Sequence, residues 1–323
     1  MGHLATGAGM NRLGAPSQNS AQQRHRVTAP VGLFHYCSRN KKNKKQYSVK
    51  LATWNLRTLL DSHGTSDRPH RRTALIAAEL SRYNIDIAAL SETSLLDEGS
   101  LSEEGTGYTF FWKGFPPGGQ HLYGVGFAIK NTILPSLTET PVGISERLMT
   151  LRIPLAKKRY ATLLSAYAPT LPSENEAKEC FYQALDEALC RIPKSDKILL
   201  LGDFNARVGQ NNRIWSGVLG RHGIGRVNAN DMRLLTLCSE HNLTITNTIF
   251  QQKAKYKTSW MHPRSKHWHM IDFIIVRCSD IKDLLITRAM RGAECWTDHR
   301  MIVAKLHMKV LCALRCSSQI HRL

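Results

Sequence analysis

The fold is decided by the stretch Leu199-Leu200-Leu201-Gly202-Asp203-Phe204-Asn205-Ala206. The uninterrupted apolar run over residues 198–201 is typical of a β-strand buried on both faces, and Gly202 ends it. Asp203 and Asn205 therefore stand where a buried strand emerges. Side chains two residues apart in an extended segment point the same way, so this carboxylate and this carboxamide can address one ligand. A Gly-Asp turn before a polar loop is the simpler interpretation of such a motif taken alone.

Similar polar endings recur along the chain after short apolar segments. Their recurrence favours a shared site over a set of unrelated turns. In chain order the endings are Thr53-Trp54-Asn55, Leu90-Ser91-Glu92-Thr93, Ser165-Ala166-Tyr167-Ala168-Pro169, Gly202-Asp203-Phe204-Asn205, Ile271-Asp272-Phe273 and Thr297-Asp298-His299.

The order of these motifs resembles that of the endonuclease/exonuclease/phosphatase superfamily, which includes DNase I and the apurinic/apyrimidinic endonucleases. The resemblance runs from about residue 51 to about residue 306. Residues 262–272 and 291–300 further resemble the endonuclease domain of LINE-type, RTE-like retrotransposons and the similar craniofacial development protein 2-like host proteins. The resemblance implies an α/β fold of four layers, in which two packed mixed β-sheets are flanked by helices as in DNase I.

The chain is strongly basic, with a formal net charge of +19 over 323 residues. Residues 1–50 contain nine Lys and Arg residues and no Asp or Glu. Such an excess attracts polyanions, and nucleic acid fits better than an anionic membrane because no amphipathic apolar face accompanies the charge. DNA is therefore the predicted partner. The basic run at residues 39–45 suits nuclear import, although a solvated tail is the commoner interpretation.

Composition and periodicity divide the chain into three parts. Residues 1–46 are rich in Gly, Ser, Gln and Ala without a sustained period, which predicts a flexible basic leader. Alternating strand and helix patterns predict a single α/β domain over residues 47–308, and residues 309–323 resemble an unstructured tail.

Within the domain, the apolar spacing predicts an amphipathic helix over residues 71–83 and a longer helix that follows a capping box formed by Ser173 and Glu176. Residues 99–119 are predicted to form a loop. Strands are predicted over residues 47–54, 85–90, 125–129, 148–153, 160–166, 198–201, 243–246, 271–276 and 301–306.

The sequence predicts an intracellular protein. No apolar run approaches the length of a membrane span, and the N-terminus lacks the apolar core of a secretory signal. The eight cysteines show no C-x-x-C pair or disulfide spacing, which favours reduced thiols. We expect a monomer, located in the nucleus, that does not contact a membrane.

The resemblance gathers four carboxylates, Glu92, Asp203, Asp272 and Asp298, at one strand edge. Like charges crowd together only where something cancels them, and an oxygen-rich set completed by water suits Mg²⁺, or Mn²⁺, rather than zinc. The resemblance assigns Glu92 to direct metal binding, with Asn55 and Asp298 close by. Each of these residues taken singly is more often a surface or turn residue, so the prediction depends on the ordered set.

The same resemblance gives the other motif residues roles in phosphodiester hydrolysis. Asp203 would orient or deprotonate the attacking water, and Asn205 would hold the phosphate or water in line. His299 would donate a hydrogen bond to a phosphoryl oxygen, while Asp272 would fix the tautomer and charge of that ring. Tyr167 would reach the phosphate through its hydroxyl, although an aromatic residue at a strand end is by default part of the core.

A basic and aromatic segment, residues 255–269, precedes Asp272. Cations interleaved with aromatic rings suit a nucleic-acid strand, because cations meet phosphates and rings stack on bases. A solvated basic loop is the alternative; a zinc site built from the three histidines is disfavoured because no cysteine spacing supports it. The predicted DNA contacts are Ser259, Trp260, Arg264, Lys266, Trp268 and, after the last motif, Arg300.

Two positions depart from the pattern of the family. Arg57 stands where the apurinic/apyrimidinic endonucleases carry an acid, which disfavours abasic-site repair, and Ser259 stands where the retrotransposon branch usually has threonine. The predicted function is a Mg²⁺-dependent DNA endonuclease derived from a retrotransposon, which leaves a 3′ hydroxyl and lacks reverse transcriptase. A phosphatase or RNase of the same superfamily, and a domesticated protein that only binds nucleic acid, are the alternatives.

Overall fold

The computed structural model describes residues 48–61, 71–118 and 123–311. The predicted leader, residues 1–46, lies outside the described residues, as does the predicted tail from residue 312 onward. The described chain continues beyond the predicted domain end at residue 308: Val310 pairs with Leu155, and the N–H of Leu311 donates to the carbonyl of Pro154 at 3.1 Å. None of the described helices is long and apolar enough to cross a membrane.

Strands dominate the described residues, and each large sheet is mixed. The strands are β1 (Val49–Asn55), β2 (Ile87–Ser91), β3 (Glu98–Glu103), β4 (Tyr108–Lys113), β5 (Val125–Lys130), β6 (Val142–Ser145), β7 (Leu148–Leu155), β8 (Arg159–Tyr167), β9 (Lys197–Asp203), β10 (Leu243–Ile245), β11 (Trp260–Met261), β12 (Trp268–His269), β13 (Asp272–Arg277), β14 (Leu284–Met290) and β15 (Met301–Leu306). The α-helices are α1 (Arg72–Arg82), α2 (Asn175–Arg191) and α3 (Asp231–Glu240). Short 3-10 turns occupy Leu134–Ser136, Thr246–Thr248, Ala254–Tyr256 and Cys278–Asp283.

The strands assemble into two large sheets and one small hairpin. The seven-stranded sheet has the order β14-β15-β1-β2-β5-β4-β3, and the six-stranded sheet has the order β10-β13-β9-β8-β7-β6. Strands β11 and β12 form the hairpin. Each large sheet contains one parallel pair, β1 with β2 and β8 with β9, and its other pairs are antiparallel.

The two large sheets pack face to face, with helices on both outer faces. Strand β9 shows the arrangement, because successive side chains of a strand point to opposite faces. Leu199 and Leu201 pack with Leu51 of β1 in the apolar layer between the sheets. Leu200 points the other way and packs with Leu185 of α2 and with residues of α3. Helix α1 covers the outer face of the first sheet. The predicted four-layer fold is therefore confirmed.

The strand register brings the polar endings to one edge of the two sheets. Asn55 pairs with Ser91 at the ends of β1 and β2, and Tyr167 pairs with Asp203 at the ends of β8 and β9. Asp272 begins the antiparallel strand β13 opposite Asp203. Asp203 has the same parity as Leu199 and Leu201, so its side chain continues the layer between the sheets to its rim.

Two local predictions are wrong. Residues 99–119 contain most of β3 and all of β4 instead of a loop. Strand β3 lies at the edge of its sheet with mostly exposed side chains, so its sequence carries no apolar alternation. The capping box is also absent: α2 begins after Glu174, and the Ser173 hydroxyl lies 3.0 Å from that of Thr170.

Candidate active site

Asn55 joins two acidic residues that belong to different sheets. This side chain is fully buried, and its Nδ2 donates to Glu92 Oε1 at 2.7 Å and to Asp203 Oδ2 at 3.0 Å. Its oxygen accepts the backbone N–H of Arg57 at 3.0 Å. Asn55 thus bridges the carboxylate predicted to bind metal and the one predicted to activate water.

Glu92 is the first residue after β2, and its backbone adopts a left-handed φ of 54°. Its Oε1 also accepts a hydrogen bond of 2.8 Å from the hydroxyl of Tyr167. Burial, reinforced by the charges of Glu92 and Asp203, raises the pKa of Tyr167 well above its ordinary value. The phenol therefore stays protonated at neutral pH and serves as a hydrogen-bond donor.

Asp203 and Asn205 are linked by a turn rather than by an extended segment. The N–H of Asn205 donates to Asp203 Oδ1 at 2.9 Å, and Asn205 has a left-handed φ of 47°. Its Nδ2 donates to the carbonyl of Ala168 at 2.9 Å. The expectation that both side chains extend from a straight strand is wrong, because asparagine tolerates the left-handed region and the chain turns at this residue.

His299 lies between two buried carboxylates. Its Nδ1 is 3.0 Å from Asp272 Oδ2 and 3.9 Å from Asp203 Oδ2. Burial alone lowers the pKa of His299, but the charge and hydrogen bond of Asp272, with the charges of Asp203 and Asp298, outweigh it and raise this pKa to about 9. The ring is therefore an imidazolium at neutral pH, and its Nδ1–H donates to Asp272.

Asp203 has an environment suited to a base. Burial and the charge of Asp272 raise the pKa of Asp203 to about 8, against the opposing effects of His299, the Asn205 N–H and Asn55. A carboxyl group with a raised pKa accepts a proton from water more readily than an ordinary aspartate does. The three side chains Asp203, Asp272 and His299 therefore form one coupled proton-binding unit.

Three residues that the sequence analysis did not select hold this unit in place. The Thr297 hydroxyl donates to the carbonyl of Asn55 at 2.9 Å, and the Trp54 indole donates to the carbonyl of His299 at 3.1 Å. The Asn247 amide donates to the carbonyl of Asp272 at 3.0 Å. Thr297 and Trp54 stand inside two of the quoted motifs, which is a usable signal, whereas nothing in the sequence distinguishes Asn247.

Ser259 also supports the site. Its side chain is fully buried, and its hydroxyl oxygen accepts the backbone N–H groups of Ile271 and Asp272, each at 3.2 Å. The predicted contact between Ser259 and DNA stays a prediction, and it would require this buried hydroxyl to become exposed.

Asp298 lies at the mouth of the site. Its Oδ2 accepts a hydrogen bond of 2.9 Å from the Trp260 indole. Its Oδ1 is buried without a hydrogen-bond partner, 3.7 Å from the guanidinium of the more exposed Arg57. This oxygen therefore has an ion pair with Arg57 but no hydrogen bond, which leaves a lone pair that a metal ion could use.

Two sets of side chains could hold a divalent cation. Glu92 and Asp298 offer carboxylate oxygens at the site, which suit Mg²⁺. The donor atoms of Asp203, Asp272 and His299 form the second set and lie within 4.8 Å of one another. A histidine ligand must be neutral, and the raised pKa of His299 opposes that state. The positive charge of His299 therefore opposes metal binding by this second set, and metal binding by Glu92 and Asp298 stays a prediction.

The predicted DNA-contacting residues surround the β11–β12 hairpin. Arg264 and Lys266 are exposed in its turn. The Trp268 ring is 36% exposed, and the guanidinium carbon of Arg300 lies 3.2 Å from its centroid. Trp260 is half-buried, and its ring centroid lies 6.3 Å from that of His299. The hairpin therefore connects the proton-binding unit with an exposed basic surface.

A cavity of about 630 Å³ opens between this hairpin and the end of β9. It is lined in part by Leu171, Asn205, Arg207, Trp260, His262 and His267. Apolar, aromatic and basic groups thus meet beside the turn that follows Asp203, in a space large enough for a ligand of small-molecule size.

Four residues in or beside the site motifs have left-handed backbones. Arg57, Glu92, Asn205 and Trp296 have φ values of 62°, 54°, 47° and 56°. Each lies within two residues of a strand end or of the Thr297-Asp298-His299 motif. Such conformations cost about 1–3 kcal/mol for residues other than glycine, so the surrounding structure must hold these four in place.

The sequence matches a known protein family and curated relatives. A profile of the endonuclease/exonuclease/phosphatase family matches residues 52–280. Craniofacial development protein 2 of Bos taurus is 30% identical over 273 residues, which span 83% of this chain and 42% of that protein. The chain therefore spans less than half the length of the curated relatives it matches.

Solved structures share the fold at low sequence identity. The catalytic domain of Xenopus laevis APE2 has a TM-score of 0.58 and 18% identity, over 83% of this chain and 95% of that one. The endonuclease domain of TRAS1, a telomere-specific non-LTR retrotransposon, has a TM-score of 0.52 and 14% identity, over 80% and 98% of the two chains. At this level of identity the similarity establishes the fold.

Proposed function

Because the chain belongs to the endonuclease/exonuclease/phosphatase family, we propose that it is a Mg²⁺-dependent DNA endonuclease derived from a non-LTR retrotransposon. It nicks DNA by hydrolysing a phosphodiester and leaves a 3′ hydroxyl. The observation that carries this proposal is the buried unit in which His299 lies between Asp272 and Asp203 and is connected through Asn55 to Glu92. The proposal includes a nuclear location and action as a monomer.

In this proposal Glu92 and Asp298 hold the metal. Asp298 Oδ1 accepts no hydrogen bond, which supports that assignment, and so does the all-oxygen character of the pair. When bound, Mg²⁺ polarises a phosphoryl oxygen and stabilises the leaving oxyanion. Asn55, which the resemblance places close to the metal, acts as a positioning residue, because its amide nitrogen faces Glu92 and its oxygen accepts the Arg57 N–H.

Asp203 orients and deprotonates the attacking water. The N–H of Asn205 and the Nδ2 of Asn55 fix its two oxygens, so the carboxylate presents a constant geometry. Because its pKa is raised to about 8, Asp203 acts as the base from its ionised form, whose share grows as the pH rises from neutral towards 8. Asn205 lies on the next turn, where its position supports the proposed alignment of the phosphate.

His299 stabilises the charge that grows on the phosphoryl oxygen. Asp272 occupies Nδ1, so Nε2–H is the donor that remains for the substrate, and the raised pKa keeps the ring positively charged. Tyr167 donates to Glu92 in this structure and therefore orients that carboxylate. The predicted contact between Tyr167 and phosphate would require its hydroxyl to leave Glu92.

The β11–β12 hairpin, together with Arg300, forms the proposed DNA contact beside the cut. Arg264 and Lys266 in the exposed turn meet phosphates, and Trp268 offers a ring for stacking. Trp260 orients Asp298 instead of stacking on a base, because its indole N–H donates a hydrogen bond to Asp298. The net charge of +19 supports DNA over a small phosphoester as substrate.

Plasmid nicking by the full chain tests the proposal. Supercoiled DNA is incubated with Mg²⁺ or with EDTA, using the wild type and Asp203→Ala. We expect open circles only for the wild type with Mg²⁺, and nicks that a DNA polymerase extends without end repair. Release of phosphate from 3′-phosphorylated DNA without nicking would indicate a phosphatase, and binding without turnover would indicate a nucleic-acid-binding protein.

A further inference from the structure

A cluster of metal-donor side chains lies on the helical layer outside the six-stranded sheet, apart from the candidate active site. Donor atoms of Asp186, Cys190 and His241 lie within 4.8 Å of one another. We propose that these three residues form a second metal site, which binds Zn²⁺ or a similar transition-metal ion. The proposal is independent of the nuclease function.

Two helices build the cluster. Asp186 and Cys190 are four residues apart on α2, so their side chains share one face of that helix. His241 is the residue that ends α3, and its Nε2 lies 2.6 Å from Asp186 Oδ1. The His241 side chain is 16% exposed and that of Asp186 is 47% exposed, while Cys190 is exposed. The imidazole is thus held in place, and the thiol is accessible to an ion.

The donor types select the class of metal. A thiolate, an imidazole and a carboxylate suit Zn²⁺, whereas Mg²⁺ and Ca²⁺ prefer oxygen donors throughout. Three protein ligands with one water complete a tetrahedral shell. Zn²⁺ bond lengths of about 2.0–2.3 Å place tetrahedral ligands about 3.3–3.8 Å apart. The observed donor atoms lie within 4.8 Å of one another, and rotation of the exposed side chains of Cys190 and Asp186 can bring them to this spacing.

A neighbouring cavity borders one of the three ligands, Asp186. Tyr182 stands one turn before Asp186 on α2, and its buried hydroxyl has no hydrogen-bond partner. Tyr182, Asp186 and Glu240 line the same cavity of about 330 Å³. Water fits a cavity of this size, so Asp186 borders a space from which solvent can complete the coordination of an ion.

A bound ion would connect α2 with the end of α3. Both helices cover the outer face of the six-stranded sheet, through residues such as Leu185 and Leu235. An ion that binds the folded state and not the unfolded chain stabilises the protein by mass action. The inferred role is therefore structural, and a bare ion pair between His241 and Asp186 is the alternative.

Cobalt titration of the metal-free full chain tests the proposal, because Co²⁺ bound to a thiolate absorbs in the near ultraviolet. We expect the thiolate-to-cobalt band to saturate at one equivalent and to disappear when Zn²⁺ displaces Co²⁺. The Cys190→Ser variant should lose the band. The matched control is Cys180→Ser, which removes another exposed thiol of α2 outside the cluster and should keep the band.

Two further variants examine the other ligands. Asp186→Asn and His241→Gln should each weaken Co²⁺ binding by about 10-fold or more. Zn²⁺ should raise the melting temperature of the wild type and of Cys180→Ser, and leave that of Cys190→Ser unchanged. A missing band, or a band that persists in Cys190→Ser, overturns the site. Plasmid nicking with Mg²⁺ does not depend on the second metal site, so a failed cobalt titration leaves the proposed nuclease function standing.

Discussion

His299 Nδ1 lies 3.0 Å from Asp272 Oδ2, and both side chains are buried. One ring nitrogen is thus committed to a structural partner, which leaves Nε2 as the only ring atom able to meet a substrate. The charge of His299 also acts on the adjacent Asp203, because Asp203 Oδ2 lies 3.9 Å from the same Nδ1. Proton position in this unit therefore depends on all three groups.

Removing either reacting group should abolish most of the nicking activity. Asp203→Ala and His299→Ala should each lower the nicking rate by roughly 10²-fold or more, because they delete water activation and oxyanion stabilisation. DNA affinity should remain close to that of the wild type, which a binding assay in EDTA measures. A variant that retains wild-type nicking removes its residue from the proposed mechanism.

Stability of the metal-free protein should decline as the pH rises from neutral. The pKa of His299, about 9, exceeds its ordinary value of 6.5, so the folded state binds more protons than the unfolded chain in this interval. Its contribution is complete below about pH 6.5 and is lost as the pH passes about 9. The pKa of Asp203 is also raised, from its ordinary value of 3.8 to about 8, so this group likewise makes the folded protein less stable as the pH rises through that interval.

Asp272→Asn should flatten this pH dependence, since the charge of Asp272 raises both pKa values. Urea unfolding of the wild type and the variant in EDTA, at several pH values, measures the effect. An equally steep dependence in Asp272→Asn would show that its charge does not control the unit.

Trp260→Phe should weaken metal binding while it preserves the ring. The substitution removes the indole hydrogen bond that orients Asp298. Loss of such a partner typically costs 10–100-fold in metal affinity or activity, so the Mg²⁺ concentration needed for half-maximal nicking should rise about 10-fold or more. Trp112→Phe is the control, because that indole donates to the carbonyl of Leu96 instead. Equal Mg²⁺ requirements in both variants would contradict the role of Trp260.

Substitutions of the two kinds of hairpin residue should weaken DNA binding with different salt dependence. Arg264→Ala should weaken DNA binding most at low salt and converge with the wild type as salt rises, because phosphate contacts release counterions. Trp268→Ala should cost about 1–3 kcal/mol of binding free energy with little salt dependence, as expected for a stacking ring. Arg159→Ala is the matched control, since Arg159 is exposed at the opposite end of the strand that ends in Tyr167.

Thermal melts guard against a trivial explanation for Trp268. Its ring supports the Arg300 guanidinium, so truncation could destabilise the surface instead of removing a DNA contact. A melting temperature close to that of the wild type, together with weaker binding, supports stacking. Unchanged binding and cutting by a stable Trp268→Ala variant would eliminate the proposed contact.

Deleting residues 1–46 should weaken DNA binding uniformly across sequences and flatten its dependence on salt. This segment contains eight Lys and Arg residues and no acidic residue, so its contribution is electrostatic. Cutting at low salt should survive the deletion. An inactive truncation with a lowered melting temperature would show that the segment belongs to the folded domain.

Local patterns in the sequence predicted the buried strands, and the resemblance to the family predicted the four layers and the edge at which the site forms. Strand β9 is apolar at every position from residue 198 to residue 201, and only a strand covered on both faces requires that pattern. The polar residue that follows each buried strand marks the edge. These signals are local, so a single sequence contains them.

The remaining features depend on contacts between distant segments. The edge strand β3 buries little, so its sequence has no apolar period to detect. The bond between Trp260 and Asp298 joins residues 38 positions apart, and its indole could as well have faced DNA. The backbone of Asn205 turns left-handed within a run that resembles a strand continuation. Packing between distant segments determines these three features, and the local sequence does not predict them.

The register of β9 has a genetic consequence. Asp203 faces the layer between the sheets because it lies an even number of positions, two and four, after Leu201 and Leu199. Insertion of a single codon in β9 would reverse this parity, so the carboxylate would face the helices even if the sheet still formed. Length variation among descendants of this gene should therefore fall in surface turns such as that between β11 and β12, while these strands diverge by substitution alone.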